Sequence, residues 1–346
     1  MSNLVSKSSY SNLEYGLLEL SNNINYIADD IININGQMTD FNKEVKQLQE
    51  NVKTLEEEIR DFEPDVIHSQ HIWIISGLLN DYKIPYIITS HGAEFITYNR
   101  TSRFDNYGIN AVEGAKNIIA ISKDNIKEII DKFPTAENKI EFIKNGYNSN
   151  EFFIEDINKK EVLERLSINK EYDKIVLFVG RISKMKGLDV LLNAAKIYEN
   201  DKILTLIVGD GEFRQELDIM KKELDLKNVI FLGSKEHSQL RELYNISDVL
   251  VLPSRKEALP LVAIEALACG TPAVVTNQSG MSDIINKDVG LTFELDNEKM
   301  LAEKINLILH KQIKFDKSII SNYAKENYSD ELLINRLLEV YESIKL

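Results

Sequence analysis

Apolar positions divide the chain into three regions with different periodicity. Between residues 10 and 60 they recur at alternating spacings of three and four, the heptad pattern of a coiled coil. The series consists of Leu17, Leu20, Ile24, Ile27, Ile31, Ile34, Met38, Phe41, Val45, Leu48, Val52, Leu55 and Ile59. The turn-like cluster Asn33-Ile-Asn-Gly36 falls inside it, and a glycine in mid-helix costs roughly 1 kcal/mol. The pattern therefore predicts a helical hairpin or a kinked coiled-coil rod, with ordinary packing against the next domain as the alternative.

The rest of the chain alternates short β-rich runs with helical patterns. The runs lie at residues 65–68, 85–89, 117–121 and 139–143, and then at 174–179, 203–208, 228–232, 248–252, 272–276 and 289–293. Such alternation is typical of doubly wound parallel sheets, in which apolar strands are buried on both faces. The pattern predicts an α/β protein with two Rossmann-like domains, the last run being an edge strand of the second sheet.

These periodicities also predict the order of domains. The segments are a helical segment at 1–62, a first Rossmann-like domain at 63–150, a linker at 151–172, a second Rossmann-like domain at 173–310 and C-terminal helices at 311–346. Residues 323–346 have the pattern of an amphipathic helix, which we expect to return to the first domain. The heptad region is the surface through which a homo- or hetero-oligomer would assemble.

Composition narrows the classes of function. The net charge is −14 and the pI is near 5.0, so the chain has no basic surplus for a nucleic acid partner. A single cysteine, Cys269, excludes an intrachain disulfide framework and fits a reducing compartment. The chain has no apolar signal core and no apolar run as long as a membrane span. We therefore expect a cytoplasmic protein and leave a peripheral position on a membrane open.

Candidate ligand-binding residues follow the strands of the second domain. In doubly wound sheets, ligands bind beyond the carboxyl ends of the strands. Gly180 allows a turn after the first of these strands, and Arg181 and Lys186 follow it. The planar guanidinium of an arginine and the compact ammonium of a lysine together suit a diphosphate. Asp210 and Gly211 lie in a tight turn after the second strand. Taken alone, an arginine and a lysine favour a solvated basic loop, and Gly-Asp-Gly is a common turn.

Two glutamates follow the fourth strand of this domain. Seven residues separate Glu257 from Glu265, within an apolar stretch that predicts a buried helix over about residues 259–269. A carboxylate in such a helix needs hydrogen bonds, either from protein donors or from the hydroxyls of a sugar or ribose. The alternative is a glutamate at the helix edge that touches water. The free amides at the helix N-terminus, near Leu259 to Val262, predict an anion site.

In their order along the chain, these motifs resemble the donor-binding half of the family-four glycosyltransferases. The resemblance rests on Phe178-Val-Gly-Arg181, Lys186-Gly187, Val208-Gly-Asp-Gly-Glu212, Phe231-Leu-Gly233, Leu252-Pro-Ser254, the Glu257 and Glu265 pair, and Gly270-Thr-Pro272. Weaker landmarks of the acceptor domain are Pro64-Asp-Val-Ile-His68, Ser90-His-Gly92, Ile121-Ser122 and Lys144-Asn-Gly146. The resemblance implies the GT-B fold and retaining transfer of a sugar from a nucleotide-diphosphate donor to a glycan, lipid or protein acceptor.

The resemblance also implies roles for single positions. Arg181 and Lys186 would hold the diphosphate and stabilise the charge that develops on it. Glu257 would contact the hydroxyls of the donor sugar, and Glu265 those of the ribose. His91 would lie across the cleft near the reaction centre, although a histidine that closes a strand in the core is an equal alternative. The remaining donor-binding positions would be Gly180, Asp210, Gly211, Gly233, Leu259, Pro260, Leu261 and Asn145.

Two further expectations concern what the chain lacks. No Asp-x-Asp pair occurs in the sequence, so we expect neither a metal nor a cofactor beyond the nucleotide sugar as substrate. Family members usually begin with a strand and a glycine-rich loop, whereas the heptad region occupies that position here. The first domain is therefore predicted to be truncated, which leaves open whether the chain is active alone. The alternatives are a non-catalytic nucleotide-sugar-binding subunit that assembles with a partner through its coil, and a nucleotide-sugar epimerase.

Overall fold

The computed structural model describes most of the chain after residue 50. The described residues are 50, 52–92, 94–98, 102, 104–198, 200–257, 259–278 and 280–344. Internal contacts divide the chain into two units, Met1–Pro64 and Asp65–Leu346. In the first unit, residues 52–62 are helical. The predicted coiled coil and the predicted truncation of the first domain lie mainly outside the described residues, so both stay predictions.

The second unit contains a first sheet of four parallel strands in the order β1-β2-β3-β4. They are β1 (Ile67–Gln70), β2 (Tyr86–Ser90), β3 (Asn117–Ala120) and β4 (Ile140–Phe142). The helices of this domain are α1 (Ile74–Leu78), α2 (Glu94–Tyr98), α3 (Asp105–Gly114) and α4 (Lys123–Lys132). The four short strands predicted from the sequence are confirmed. Every residue of β2 is buried, as expected for a strand with neighbours on both sides.

The second sheet has six parallel strands in the order β10-β9-β8-β5-β6-β7. They are β5 (Lys174–Val179), β6 (Ile203–Val208), β7 (Val229–Gly233), β8 (Val249–Leu252), β9 (Ala273–Thr276) and β10 (Gly290–Phe293). Its helices are α5 (Lys159–Arg165), α6 (Leu188–Tyr198), α7 (Arg214–Glu223), α8 (His237–Ile246), α9 (Leu261–Ala268) and α10 (Glu298–Leu309). All six predicted strands are present, and β10 lies at the predicted edge.

The order of strands reverses beside β5. The chain adds β6 and β7 on one side of β5 and then returns to place β8 on the other side, where Val176 lies opposite Val249. In open α/β sheets, a crevice forms at the carboxyl ends of the strands where this reversal occurs. The residues that follow β5 and β8 are therefore the ones placed at the crevice.

Helix α9 begins two residues later than the sequence predicts. Pro260 takes the N-cap position in an extended conformation, and the first helical residue is Leu261. The helix is buried through Ala263, Ile264, Ala266, Leu267 and Ala268, as its apolar composition predicts. Glu265 is only partly buried, in contrast to these apolar residues of the same helix.

The segment predicted to be the linker, residues 151–172, contains helix α5. Its Val162 and Leu163 are buried and belong to the core of the second domain. The chain crosses between the domains again near its end, where Tyr147 and Ser329 form a parallel bridge.

Two helices, rather than the single helix predicted for residues 323–346, end the chain. They are α11 (Lys317–Tyr328) and α12 (Asp330–Ile344). Ser329 separates them because its backbone is extended, and the amide of Asp330 donates to the carbonyl of Tyr147. Helix α12 packs on the first sheet, with Val340 against Ile87 and Ile119. Among the helices of the described residues, none has the length and apolar character needed to cross a bilayer.

Candidate active site

Lys186 and Glu257 meet at the reversal of strand order. Lys186 ends a short 3₁₀ turn after β5, and Glu257 lies in the loop after β8. The ammonium of Lys186 donates to the Oε2 atom of Glu257, and the two side chains are 26% and 21% exposed. The structure thus joins two of the predicted charged residues at the crevice, where a partly buried ion pair can exchange partners with a ligand.

Gly187 allows the loops after β5 and β8 to touch. Its φ is 65°, and a Cβ atom at this position would overlap the carbonyl oxygen of Pro253. The amide of Arg255 donates to the carbonyl of Met185 at 2.7 Å, which fixes the same contact by a backbone bond. Only glycine combines this conformation with this proximity, so Gly187 determines where Lys186 stands relative to Glu257.

Arg255 forms hydrogen bonds that stabilise both loops, and no role was predicted for it from the sequence. Its guanidinium donates to the carboxylate of Asp189 at 2.7 Å and to Asp296 at 2.8 Å. These hydrogen bonds, first those to Asp189, raise the pKa of Arg255 above its ordinary value. A basic residue beside Lys256 in a loop is typical of a solvated surface, so the sequence carried no signal for this pairing.

Arg181 lies apart from the Lys186–Glu257 pair. Its guanidinium is 3.1 Å from Glu212, in the loop after β6, and its side chain is 74% exposed. The pKa of Glu212 is lowered by its own backbone amide and by Arg181. The structure therefore does not bring Arg181 together with Lys186, and places it at the exposed rim of the same sheet edge.

The predicted glycine positions shape the loops between these charges. The amide of Gly180 donates to Val208, and that of Gly209 donates to Gly233 at 2.9 Å. At Gly211, a Cβ atom would overlap the carbonyl oxygen of Ile182. These contacts bring the ends of β5, β6 and β7 to the same level of the sheet edge.

Two of the predicted donor-binding positions face open space. The carboxylate of Asp210 is exposed and accepts the amide of Gly211 at 2.8 Å, so its described contact is with its own turn. Gly233 has a φ of 67°, and among the described residues no heavy atom lies within 4 Å of the place that a Cβ atom would take. The surface at Gly233 therefore has room for a ligand to approach the backbone.

Glu265 lies one helical turn into α9, beneath the crevice. Its Oε2 atom accepts a hydrogen bond from the buried hydroxyl of Tyr244 at 2.8 Å. Burial raises the pKa of Glu265, and the bond from Tyr244 opposes that shift. Within the part of the chain that the structure describes, its other carboxylate oxygen has no hydrogen-bond partner. A protein donor thus satisfies one oxygen of Glu265, and the other can accept from a ligand.

The first backbone amides of α9 are not capped by a side chain. Pro260 offers no side-chain cap, and the amide of Ala263 donates to the carbonyl of Pro260 at 3.0 Å. The amides of Leu261 and Val262 have no acceptor among the described residues. Leu259 is partly buried and Leu261 is exposed beside these amides. The open amides therefore lie within the range predicted for an anion site, and the binding of an anion there stays a prediction.

At the edge of the first sheet, His91 follows β2 and is partly exposed, so it does not close the core. Its Nε2 atom is 2.8 Å from Oε1 of Gln70, and its ring centroid is 4.8 Å from that of His71. Burial, and then the nearby His71, lower the pKa of His91 below its ordinary value. A neutral imidazole at this position can accept a proton or a hydrogen bond.

A buried carboxylate underlies the two histidines. The side chain of Glu94 is 1% exposed, accepts from Ser90 at 2.8 Å, and lies 3.2 Å from Nδ1 of His71. Asn125 donates to Ser90 at 2.9 Å and extends this network to α4. His71 is 43% exposed and has a φ of 68°, a strained conformation that is common at functional sites.

Four members of this network were not predicted from the sequence, namely Gln70, His71, Glu94 and Asn125. Two signals were present. His71 comes directly after β1, and Glu94 comes three residues after His91. Neither signal was specific, because the contacts join residues up to 35 positions apart.

Asn145 lies in the loop after β4 and is partly buried. Its neighbour Lys144 stacks on the ring of Tyr328 at 4.7 Å. In the described part of the chain, Asn145 forms no hydrogen bond with the Lys186–Glu257 pair or with the histidines. The structure therefore places this predicted residue near the crossing between the domains and not in either charged cluster.

The loop that carries Glu257 also contacts the first domain. Lys256 lies 3.4 Å from Glu128, which belongs to helix α4. This ion pair joins the loop after β8 to helix α4 of the first domain. Among the described residues, no group of three or more His, Cys, Asp or Glu side chains is arranged to hold a metal ion.

Solved structures share this arrangement of two sheets. Sucrose-phosphate synthase from Thermosynechococcus elongatus superposes with a TM-score of 0.72 at 22% identity, covering 86% of this chain and 78% of its own. HepE of Anabaena, in complex with UDP-glucose, superposes with a TM-score of 0.72 at 20% identity, covering 85% and 82%. At these identities the likeness shows the fold. The chain has the GT-B fold, as the sequence predicted.

Sequence comparison identifies the family. A family model described as Glycosyltransferase Family 4 matches residues 18–151, and one described as Glycosyl transferases group 1 matches residues 159–326. MJ1607, an uncharacterized glycosyltransferase of Methanocaldococcus jannaschii, is 32% identical over 294 residues, which cover 80% of this chain and 75% of the relative. The chain belongs to the family-four glycosyltransferases, and its reaction is the transfer of a glycosyl group.

Proposed function

We propose that this glycosyltransferase takes its sugar from a nucleotide-diphosphate donor bound at the carboxyl edge of the second sheet. The observation that carries the proposal is the Lys186–Glu257 pair, which lies at the reversal of strand order beside β5. HepE, which has the same fold, was solved with UDP and with UDP-glucose, and this supports a uridine diphosphate sugar as the first donor to test.

The ion pair suggests how a donor would enter. Lys186 and Glu257 neutralise each other in the free protein, so neither is left as an unpaired charge in a partly buried crevice. A diphosphate would take the place of Glu257 at the ammonium of Lys186. Glu257 would then be free to accept hydrogen bonds from the hydroxyls of the donor sugar, which lies next to the diphosphate.

This arrangement favours stabilisation of the negative charge that develops on the leaving group. As the glycosidic bond breaks, negative charge grows on the leaving diphosphate, and a fixed ammonium nearby lowers the energy of that state. The open amides of Leu261 and Val262 add partial positive charge at the same edge. Arg181 would leave Glu212 and join them, which its exposure permits at little cost.

The nucleoside would lie along α9 and the end of β7. The free oxygen of Glu265 would accept from the ribose hydroxyls while Tyr244 holds the other oxygen. The base would pass over Gly233, where the backbone faces open space. Asp210 and Gly211 would shape the neighbouring turn, as they do in the free protein.

The first domain would supply the acceptor side. His91 and His71 lie together at the end of the first sheet and would face the donor, and a neutral His91 can accept a hydrogen bond from a sugar or acceptor hydroxyl. Retention of the anomeric configuration and independence of metal ions are further parts of the proposal. The first rests on the family resemblance, and the second on the lack of an Asp-x-Asp pair in the sequence. The acceptor is a glycan, a lipid or a protein.

Calorimetry and product analysis test the proposal. Titration with UDP-, GDP- and ADP-sugars should show binding of at least one of them, with unchanged affinity when EDTA is present. NMR of the sugar released by slow donor hydrolysis should show the anomeric configuration of the donor. Binding without hydrolysis or transfer would favour the non-catalytic subunit, and no binding of any nucleotide sugar would contradict the proposed donor site.

The two glutamates provide a finer test. Glu257→Ala should impair hydrolysis of the nucleotide sugar more than it weakens binding of the nucleotide alone, because Glu257 is assigned to the sugar. Glu265→Ala should weaken both, because Glu265 is assigned to the ribose. The reversed pattern would show that the two assignments are wrong.

A further inference from the structure

A second cavity lies at the amino-terminal edge of the second sheet. It is bordered by the start of β5 at Lys174 and by the residues just before β8 and β9, Asp248 and Pro272. Its volume is about 590 Å³, within the range of sites for small molecules. Because β5 has six residues, the cavity lies about 17 Å from the candidate active site at the other end of that strand.

The cavity is strongly basic within an acidic protein. Five lysines line it, namely Lys159, Lys174, Lys311, Lys314 and Lys317. Asp248 is the only acidic residue among the described residues that line it. The chain as a whole has a net charge of −14, so the sign of the local charge is reversed here. A concave surface lined by one sign of charge concentrates counter-ions of the other sign.

Asp248 is already engaged and cannot neutralise the remaining lysines. Its Oδ1 atom accepts from Lys174 at 2.6 Å, and its Oδ2 atom accepts the amide of Ile175 at 2.9 Å and lies 4.0 Å from Lys159. Lys317 donates to the carbonyl of Asn245 at 3.1 Å and meets no carboxylate in the described part. The positive charge of the cavity is therefore in excess of the negative charge that lines it.

Lys311 and Lys314 are the least engaged of the five lysines. Both are exposed in the loop between α10 and α11, and neither has an ion-pair or hydrogen-bond partner for its ammonium within the described residues. Lys311 adopts a φ of 56°, a conformation that costs a side-chain-bearing residue roughly 1–2 kcal/mol. Asp316, the acid of this loop, is occupied as the cap of α11, where it accepts two backbone amides.

Apolar side chains line the same cavity beside the lysines. Ile157 and Phe315 are partly buried against the domain core, and Ile313 lies between Lys311 and Lys314 in the sequence. A site with both characters fits a ligand that carries an anionic group and a less polar part. Lysine binds phosphoryl oxygens as a compact point charge, without the planar requirement of arginine.

We propose that this cavity binds a phosphorylated ligand, with Lys311 and Lys314 on the phosphoryl oxygens and the less polar part against Ile157 and Phe315. The phosphoryl group belongs either to a free phosphorylated molecule or to the headgroup of a lipid, and these two sources share the chemistry. The site is independent of the proposed donor site, because no residue is common to both.

The test uses the full chain with Lys186→Ala, which weakens anion binding at the candidate active site. Inorganic pyrophosphate is titrated by calorimetry into this chain, and into the same chain that also carries Lys311→Ala and Lys314→Ala. A matched control carries Lys196→Ala and Lys222→Ala, two exposed lysines outside the cavity. We expect the cavity variant to lose affinity by about tenfold or more and the control to change by less than about twofold.

Sedimentation with vesicles distinguishes the two sources. Vesicles of phosphatidylcholine are compared with and without phosphatidylglycerol. Binding that needs phosphatidylglycerol and is lost in the cavity variant assigns the site to a lipid headgroup. Pyrophosphate binding without vesicle binding assigns it to a free phosphorylated molecule. The proposal is overturned if neither probe binds, or if the control pair loses as much binding as the cavity pair.

Discussion

At the carboxyl edge of the second sheet, charged side chains pair with each other across two loops, whereas at the edge of the first sheet two histidines surround a buried glutamate. Lys186 and Glu257 are partly exposed and neutralise each other. His71 and His91 lie together above Glu94, which is almost fully buried. The first arrangement suits exchange with a polyanion, and the second suits directional contacts with hydroxyl groups.

The two edges are also stabilised by different kinds of contact. The donor edge depends on backbone contact between loops, through Gly187 and Arg255. The edge of the first sheet depends on side-chain hydrogen bonds, in which Asn125 donates to Ser90 and Ser90 donates to Glu94. Substitutions should therefore affect the two edges separately, and this separation can be measured.

The largest effect is expected from Gly187→Ala. The new methyl group overlaps Pro253, so the loops after β5 and β8 must separate and the backbone must leave its left-handed conformation. We expect the free energy of unfolding to fall by at least about 3 kcal/mol, with loss of nucleotide-sugar binding. Urea denaturation and calorimetry measure both.

Gly233→Ala is the matched control. Gly233 has a similar φ of 67° but open space around it, so only the conformational cost of about 1–2 kcal/mol remains. Equal destabilisation by the two substitutions would show that the contact with Pro253 does not hold the donor edge.

Glu94→Gln should separate the two edges of the crevice. The amide keeps the size of the side chain but removes the charge beside His71, so the ring loses its fixed orientation. We expect the rate of donor hydrolysis or transfer to fall by about tenfold, with nucleotide affinity unchanged within about twofold. The control is Glu113→Gln, an exposed position on α3. A loss of nucleotide affinity equal to the loss of rate would contradict separate roles for the two edges.

Tyr244→Phe should weaken the donor edge more mildly. Glu265 loses its hydrogen bond from Tyr244, at a cost of about 1 kcal/mol in stability, and nucleotide affinity should fall about fivefold. Since the Tyr244 bond lowers the pKa of Glu265, its loss raises that pKa. As the pH falls, Glu265 of the variant should therefore take up a proton, and lose nucleotide affinity, at a higher pH than in the unchanged protein. Tyr323→Phe, which removes a hydroxyl bound to the carbonyl of Ile284, should cost similar stability and leave affinity unchanged.

The smallest effect concerns pH and the first domain. Burial lowers the pKa of His68 and of His91, so below pH 6.5 the unfolded chain takes up protons that the folded chain does not. Stability should therefore fall as the pH falls from 6.5 towards the folded pKa values, whereas the raised pKa of Glu265 acts in the opposite direction. His68→Asn should flatten the decline by about 1 kcal/mol or less in urea unfolding at several pH values. An unchanged decline would contradict this assignment.

The sequence predicted the sheets well because their strands are continuous apolar runs separated by helices. All ten strands were found, and the charged residues after β5 and β8 were recognised from their position at strand ends. The pairing of Lys186 with Glu257 could not be predicted, since it depends on strand order rather than on local pattern. The end of α11 at Ser329 could not be predicted either, because it depends on backbone hydrogen bonds with Tyr147, which belongs to another domain.

The first domain's network was harder to foresee for the same reason. Glu94 is polar and follows a loop, so its sequence neighbourhood does not predict that it is buried. Its burial becomes favourable only when Ser90, His71 and the amide of Ile72 surround it in three dimensions. In contrast, Arg181 was expected beside Lys186, and the structure pairs it with Glu212, a carboxylate from the adjacent loop.

The proposed binding of a donor diphosphate by Lys186 can be tested against a neighbouring lysine of the same turn. The affinity for the tightest-binding nucleotide sugar is measured by calorimetry for the unchanged chain, for Lys186→Ala and for Lys184→Ala, an exposed lysine in the same turn. We expect Lys186→Ala to lower the affinity by about tenfold to a hundredfold and Lys184→Ala by less than about twofold. Equal affinity of the Lys186→Ala variant and the unchanged chain would contradict the claim.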